Sequence, residues 1–152
     1  MVITQTDKNI VKKIAINYCP DLLADAENAD ILLLPELAMT GYSCGDLFLQ
    51  DTLLKGAEEG LATILEATKH LDILTAVGMP VRCKWDNKLY NCAVLFQSGK
   101  ILGVIPKTYL PNYGEHADSR WFVSGAGVDY TIRLCGQQVT LDAKGTYACS
   151  SV

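Results

Sequence analysis

Four consecutive apolar residues, Ile31-Leu32-Leu33-Leu34, run directly into Pro35 and Glu36. Neighbours on a strand point to opposite faces, so a run apolar at every position needs cover on both sides and belongs inside a layered sheet. Proline has no N–H and ends or disrupts ladder pairing, which places the strand end at Pro35. The same arrangement recurs at Val104-Ile105-Pro106-Lys107. In an α/β sheet the carboxyl ends of parallel strands open onto the ligand crevice. A carboxylate and an ammonium placed that way suggest a general base and an oxyanion stabiliser sharing one site. The competing reading is two ordinary surface charges just past strand ends, because charged residues are rarely buried without a partner.

The rest of the chain supplies the layers such strands need. Residues 8–28 carry helical spacing (Ile10, Ile14, Leu22, Leu23, Ala26), interrupted at Pro20. A strand is expected at 30–36. Residues 51–69 form the clearest amphipathic helix, with Leu53, Leu54, Ala57, Leu61, Ile64, Leu65 and Thr68 at three- and four-residue steps. Asp51 or Thr52 is expected to cap it. A second apolar strand at 73–77 is expected to end at Gly78 and Pro80. Trp85-Asp86-Asn87-Lys88 reads as a turn, followed by a strand at 89–96, a turn at Ser98-Gly99 and a strand at 101–105. Residues 108–127 have no period, and long aperiodic loops in compact domains tend to be functional. Segments 130–134 and 138–141, joined at Gly136, read as a hairpin. Strand, helix, strand and then hairpins make an α/β fold with a mixed sheet.

A chain of 152 residues has room for one domain and a real core. Its 49% hydrophobic and 20% charged content argues against disorder. The formal net charge is −4 and the positive residues are scattered, so neither nucleic acid nor a membrane surface is expected as a partner. No apolar run approaches the roughly 18 residues of a membrane span. The polar start, Thr4-Gln5-Thr6-Asp7-Lys8, is not that of a signal peptide, and a cytoplasmic location is the expectation. The six cysteines then read as reduced thiols. There is no Cys-x-x-Cys, and His70 and His116 stand alone, so no metal site is expected.

Three stretches, in order, carry a resemblance. The first is Leu34-Pro35-Glu36-Leu37-Ala38-Met39-Thr40-Gly41-Tyr42 with Asp46-Leu47-Phe48. The second is Tyr90-Asn91-Cys92-Ala93-Val94. The third is Lys107-Thr108-Tyr109-Leu110-Pro111-Asn112-Tyr113-Gly114-Glu115 with Arg120-Trp121-Phe122. Together they resemble the nitrilase or carbon–nitrogen hydrolase superfamily over roughly residues 22–140. The Thr-Gly-Tyr-Ser-Cys-Gly-Asp-Leu-Phe-Leu-Gln run and the Arg-Trp-Phe are most similar to glutaminase domains of glutamine-dependent NAD synthetases. The resemblance implies part of an αββα sandwich.

Releasing ammonia from a carboxamide takes a nucleophile, a base to activate it and donors for the tetrahedral oxyanion. By resemblance, Glu36 would be the general base that takes a thiol proton and later serves the leaving amine. Lys107 would stabilise the oxyanion, and Glu115 would be the second carboxylate orienting this group, or else a solvated loop charge. Tyr42 and Tyr113 match positions that shape the glutamine pocket, each also readable as a packed loop aromatic. Asp46 reads as a helix or turn cap. Arg120-Trp121-Phe122 reads as scaffold, an Arg paired with a carboxylate and two core aromatics. The family often has Glu-Phe-x-Glu-x-Arg where this chain has Glu115-His116-Ala117-Asp118-Ser119-Arg120. His116 thus replaces a Phe, and Asp118 shortens the second Glu by one methylene.

The superfamily's nucleophile is a cysteine at the end of a later strand, and no matching segment occurs. Cys149 comes closest, preceded by Gly145-Thr146-Tyr147-Ala148 and followed by Ser150-Ser151. The expectation is therefore the front part of a glutaminase domain, truncated at both ends and inactive alone. In the parent, glutamine would be the substrate and the synthetase domain of the same chain the partner, in a homo-oligomer. ATP and magnesium would serve that synthetase domain and no cofactor this segment. A stand-alone amidase or nitrilase, or a non-catalytic interaction domain, are the alternatives. If the enzyme reading holds, the charged tips of Glu36, Lys107 and Glu115 share one pocket, within roughly 3–6 Å of one another.

Overall fold

The computed structural model describes residues 30–114 and 116–145. The helix expected at 8–28, Glu115 and Cys149 lie outside the described residues. Among the described residues, six strands form one sheet: β1 (Ile31–Leu33), β2 (Leu74–Arg82), β3 (Leu89–Gln97), β4 (Lys100–Pro106), β5 (Asp129–Leu134) and β6 (Gln137–Asp142). Their order is β1-β2-β3-β4-β6-β5. The β1–β2 and β4–β6 pairs are parallel and the others antiparallel, so the sheet is mixed, as the strand and turn pattern implies. The two tight hairpin turns, β3–β4 and β5–β6, put two successive residues in the left-handed region, Ser98-Gly99 and Cys135-Gly136. That is the geometry whose twist matches the flanking strands.

Helix α1 (Asp51–Ala67) buries Ala57, Leu61, Ile64 and Leu65, the stripe that the three- and four-residue spacing marks out. It lies over Val77, Met79 and Val81 of β2 and the inward residues of β3 and β4. Its start differs from expectation. Gln50 occupies the N-cap with extended backbone and no side chain caps the helix, leaving Asp51 as the first helical residue. There its carboxylate faces the positive end of the helix dipole.

Strand β2 also runs past its expected end, through Gly78 and Pro80 to Arg82. The carbonyls of Ala76 and Gly78 accept from Leu34 and Met39 on the β1 side. Residues two apart on a strand point the same way, so Pro80 turns its missing N–H to that side, past the end of β1. Its pairing with Asn91 of β3 is untouched.

Among the described residues, strand β1 stands at one edge of the sheet. Leu32 packs on Leu71 and Ile73, but Ile31 and Leu33 are 65% and 76% exposed. The two-sided cover expected of this run is met, among the described residues, on one face only. Among the described residues, no helix is long and apolar enough to cross a membrane.

One close approach matters for the site. A Cβ on Gly78 would lie 2.6 Å from the Pro35 carbonyl oxygen and against the backbone of Glu36 and Leu37. Only glycine lets the segment after β1 lie flat on β2. Gly78→Ala is expected to destabilise the chain by about 1–3 kcal/mol through overpacking against backbone that cannot swing aside. Urea unfolding measures this, and an unchanged midpoint would contradict it.

Candidate active site

Beyond Pro35 the chain turns sharply. Leu37 adopts φ 52°, a left-handed conformation rare for a branched side chain. Such strain costs on the order of 1–3 kcal/mol and persists only where its surroundings over-determine it. Here Leu37 is fully buried against Phe48, Leu89 and Phe122. Its carbonyl accepts from Gly41 (2.7 Å) and Thr40 (3.0 Å), and Met39 N–H donates to Gly78 (3.1 Å). Glu36 is thereby fixed at the rim of a cleft of about 600 Å³ lined by Pro35, Gly78, Asn91, Cys92 and Lys107 among others.

Lys107, just past Pro106, is held by its own backbone. Its N–H donates to the Asn91 carbonyl (2.8 Å), and its carbonyl accepts from Gly125 (2.9 Å). Its ammonium donates to Glu36 Oε1 at 2.8 Å and to Asp118 Oδ2 at 2.9 Å. Asn91 Nδ2 donates to the same Glu36 oxygen at 2.5 Å. Glu36 and Lys107, 71 residues apart, meet directly. The carboxylate on the far side of the ammonium, among the described residues, is Asp118, with a side chain only 1% exposed. Asp118 opens the short 3-10 turn Asp118–Arg120, and its carbonyl accepts from Trp121 and Phe122.

Tyr42 completes the network. Its hydroxyl donates to Asp118 Oδ1 at 2.6 Å, leaving the oxygen to accept from His116 Nδ1 at 3.2 Å. Tyr113 is 73% exposed, its ring stands T-shaped to that of His116 with centroids 5.8 Å apart, and it is not among the described residues that line the cleft. Asp46 is not a cap. It accepts from Arg120 Nε and Nη2 at 2.8 and 2.9 Å and from Trp121 Nε1 at 3.0 Å, clamping the Tyr42 segment to the Asp118 turn. The pairing of Arg120 with a carboxylate and the burial of Phe122 agree with the scaffold reading.

Burial alone would lower the Lys107 pKa, but hydrogen bonds to Asp118 and Glu36 outweigh it and hold the group above its usual value. Lys107 therefore stays charged throughout the neutral range. The Tyr42 phenol is pushed up to about 12 by its hydrogen bond to Asp118, then by burial, then by the charges of Asp118 and Glu36. Cys92, the thiol lining the cleft, is raised well above its ordinary value by desolvation and by Cys83. That is the reverse of an activated nucleophile. No group of three His, Cys, Asp or Glu that could hold a metal occurs among the described residues.

Sequence reasoning gave no role to Asn91 and left Asp118 without one. Asn91 belongs to the Tyr90-Asn91-Cys92-Ala93-Val94 stretch, and Asp118 stands where the family's pattern has its second Glu, which is the signal the sequence carries for each.

Residues 5–145 match the carbon–nitrogen hydrolase family. The glutamine-dependent NAD(+) synthetase of Mycobacterium tuberculosis is 36% identical over 126 residues, covering 83% of this chain and 18% of that protein. That of Aquifex aeolicus is 35% identical over 100 residues, 66% of this chain and 17% of its own length. The chain thus spans about a fifth of these curated relatives. Among solved structures, a glutamine-dependent NAD(+) synthetase from Cytophaga hutchinsonii superposes with TM-score 0.73 at 31% identity, over 89% of this chain and 22% of that one. An amidase from Nesterenkonia sp. superposes with TM-score 0.57 at 20% identity, over 91% of this chain and 49% of that one, a likeness of fold alone.

The raised Tyr42 pKa carries a sign. Protonated Tyr42 stabilises the fold fully below pH ~10, and this contribution is lost as pH rises through the folded value. NMR titration of the Tyr42 ring should give a midpoint near 12, falling toward ~10 in Asp118→Asn. A midpoint already near that of free tyrosine in the unaltered protein would contradict the network.

Proposed function

Because this chain belongs to the carbon–nitrogen hydrolase family, we propose that it supplies the base and the oxyanion donor of a glutaminase region. That region would hydrolyse glutamine and deliver ammonia to the synthetase region of a glutamine-dependent NAD synthetase. One observation carries the reading: the Lys107 ammonium lies between Glu36 and Asp118 at the edge of an apolar cleft. In such a place an ammonium acts on developing negative charge far more strongly than in water.

The chemistry follows from the contacts. A cysteine thiol, from outside the described residues, gives its proton to Glu36 as its sulfur adds to the amide carbon. The carbonyl oxygen becomes an oxyanion beside Lys107. The C–N bond then breaks, and ammonia leaves with the proton that Glu36 returns. Glu36 next takes a proton from water as water attacks the thioester, releasing glutamate and the thiol. Asn91 holds the Glu36 oxygen facing Lys107. Asp118 acts through Lys107, which it positions, and Tyr42, itself held by His116, positions Asp118. Tyr42 would thus act on the glutamine pocket from behind this network. ATP and magnesium would serve the synthetase step and not this cleft.

Ammonia release from glutamine, measured on the glutamine-hydrolysing protein that carries this chain, tests the reading. Glu36→Gln removes the base and is expected to slow release by about 10²–10⁴-fold. Cys92→Ala, which removes the inert thiol, should leave the rate within a few-fold. An undiminished rate in Glu36→Gln, or its collapse in Cys92→Ala, would overturn the assignment.

A further inference from the structure

The fold gathers three cations that the sequence scatters. Arg82 at the end of β2, Lys84 just beyond it and Arg133 on β5 line a cleft of about 500 Å³ together with Trp85, Thr131 and Gln138. An adjoining cleft of about 330 Å³ shares the same three cations. They meet because the sheet curls until edge strand β5 reaches the β2–β3 turn and α1. Trp85 Nε1 donates to the Thr131 carbonyl at 2.7 Å, and the Cys135 N–H donates to Glu58 at 2.9 Å.

These charges are poorly compensated. No residue lining the larger cleft is acidic. Among the described residues, neither Lys84 nor Arg133 forms an ion pair. Asp51 stands 4.0 Å from Arg82 Nε, beyond hydrogen-bond reach, and its side chain is 80% exposed. Arg82 Nε is buried and makes no hydrogen bond. Glu58, the acid of the smaller cleft besides Asp51, turns Oε1 to the Cys135 N–H and forms no ion pair with the three cations. Like charges gathered this way repel, and folding stability gives no reason for them. Beside them the Trp85 ring is 74% exposed. Its N–H is already used, which pins the ring and leaves it free for stacking.

We propose that this cleft binds a small ligand combining a planar ring with a phosphate, of the nucleoside monophosphate class. Arginine forks and a lysine suit phosphate oxygens, and an exposed indole suits a base. The volume is that of a small-molecule pocket. The cleft shares no lining residue with the Glu36–Lys107 cleft, so this inference is independent of the glutaminase reading.

Titration of the intact protein with adenosine 5′-monophosphate, followed by the indole N–H signals in NMR, tests it. The Trp85 signal should move saturably while that of Trp121 stays in place. Inorganic phosphate should compete more weakly, and adenosine more weakly still. The double variant Lys84→Ala/Arg133→Ala changes two exposed side chains, so the Trp121 signal should report an intact fold. It should weaken binding about tenfold or more, as expected for losing charge-assisted hydrogen bonds. No saturable shift of Trp85 at millimolar nucleotide would overturn the proposal. So would undiminished binding in the double variant, or phosphate binding as tightly as the nucleotide.

Discussion

A carboxylate with a side chain only 1% exposed lies at the centre of this chain. Burying an unpaired Asp118 would cost several kcal/mol, so the fold must bring it a cation. That cation is Lys107, and it serves a second carboxylate, Glu36, at the same time. Three separate elements are drawn to one point: the turn after β1, the end of β4, and the 3-10 turn that starts at Asp118. The other constraints around the cleft serve this meeting. Gly78 admits the Pro35–Leu37 backbone, and the burial of Leu37 holds a strained turn in place. Asn91 holds both residues at once, its backbone carbonyl accepting from the Lys107 backbone N–H and its side-chain amide donating to Glu36.

Two departures from the family's Glu-Phe-x-Glu-x-Arg pattern meet in space. Asp118 has one methylene fewer than glutamate, yet its two oxygens are divided between Lys107 and Tyr42. His116, in place of phenylalanine, supplies a nitrogen to the Tyr42 oxygen, which a phenyl ring could not do. Tyr42 therefore joins the two positions, and the shorter acid is held by a longer relay of hydrogen bonds. The Asp46–Arg120–Trp121 clamp fixes the same two segments farther out, where solvent weakens each contact.

Much of this was legible in the sequence, for identifiable reasons. Apolar runs closed by a proline and a charge located Glu36 and Lys107, because strand periodicity and the missing proline N–H are local facts. Helix α1 was legible through its apolar stripe, and the turns at Ser98-Gly99 and Gly136 through their residue types. What failed depended on context. Pro80 read as a strand end because the sequence does not say which edge lacks a partner. Asp46 read as a cap because its partner is 74 residues away. Asp118 and Asn91 carry no periodic signal, and the cluster of Arg82, Lys84 and Arg133 exists only once the sheet has curled.

The central claim is that Lys107 and Asp118 are energetically one unit, and a double-mutant cycle in urea unfolding measures that most directly. Lys107→Met leaves a buried carboxylate without its cation and should cost about 3–5 kcal/mol. Adding Asp118→Asn should recover part of the loss, with a coupling energy of about 1–3 kcal/mol between the two sites. Additive effects, with coupling below about 0.5 kcal/mol, would mean that the ammonium does not hold the buried carboxylate, and the account of this site would be wrong.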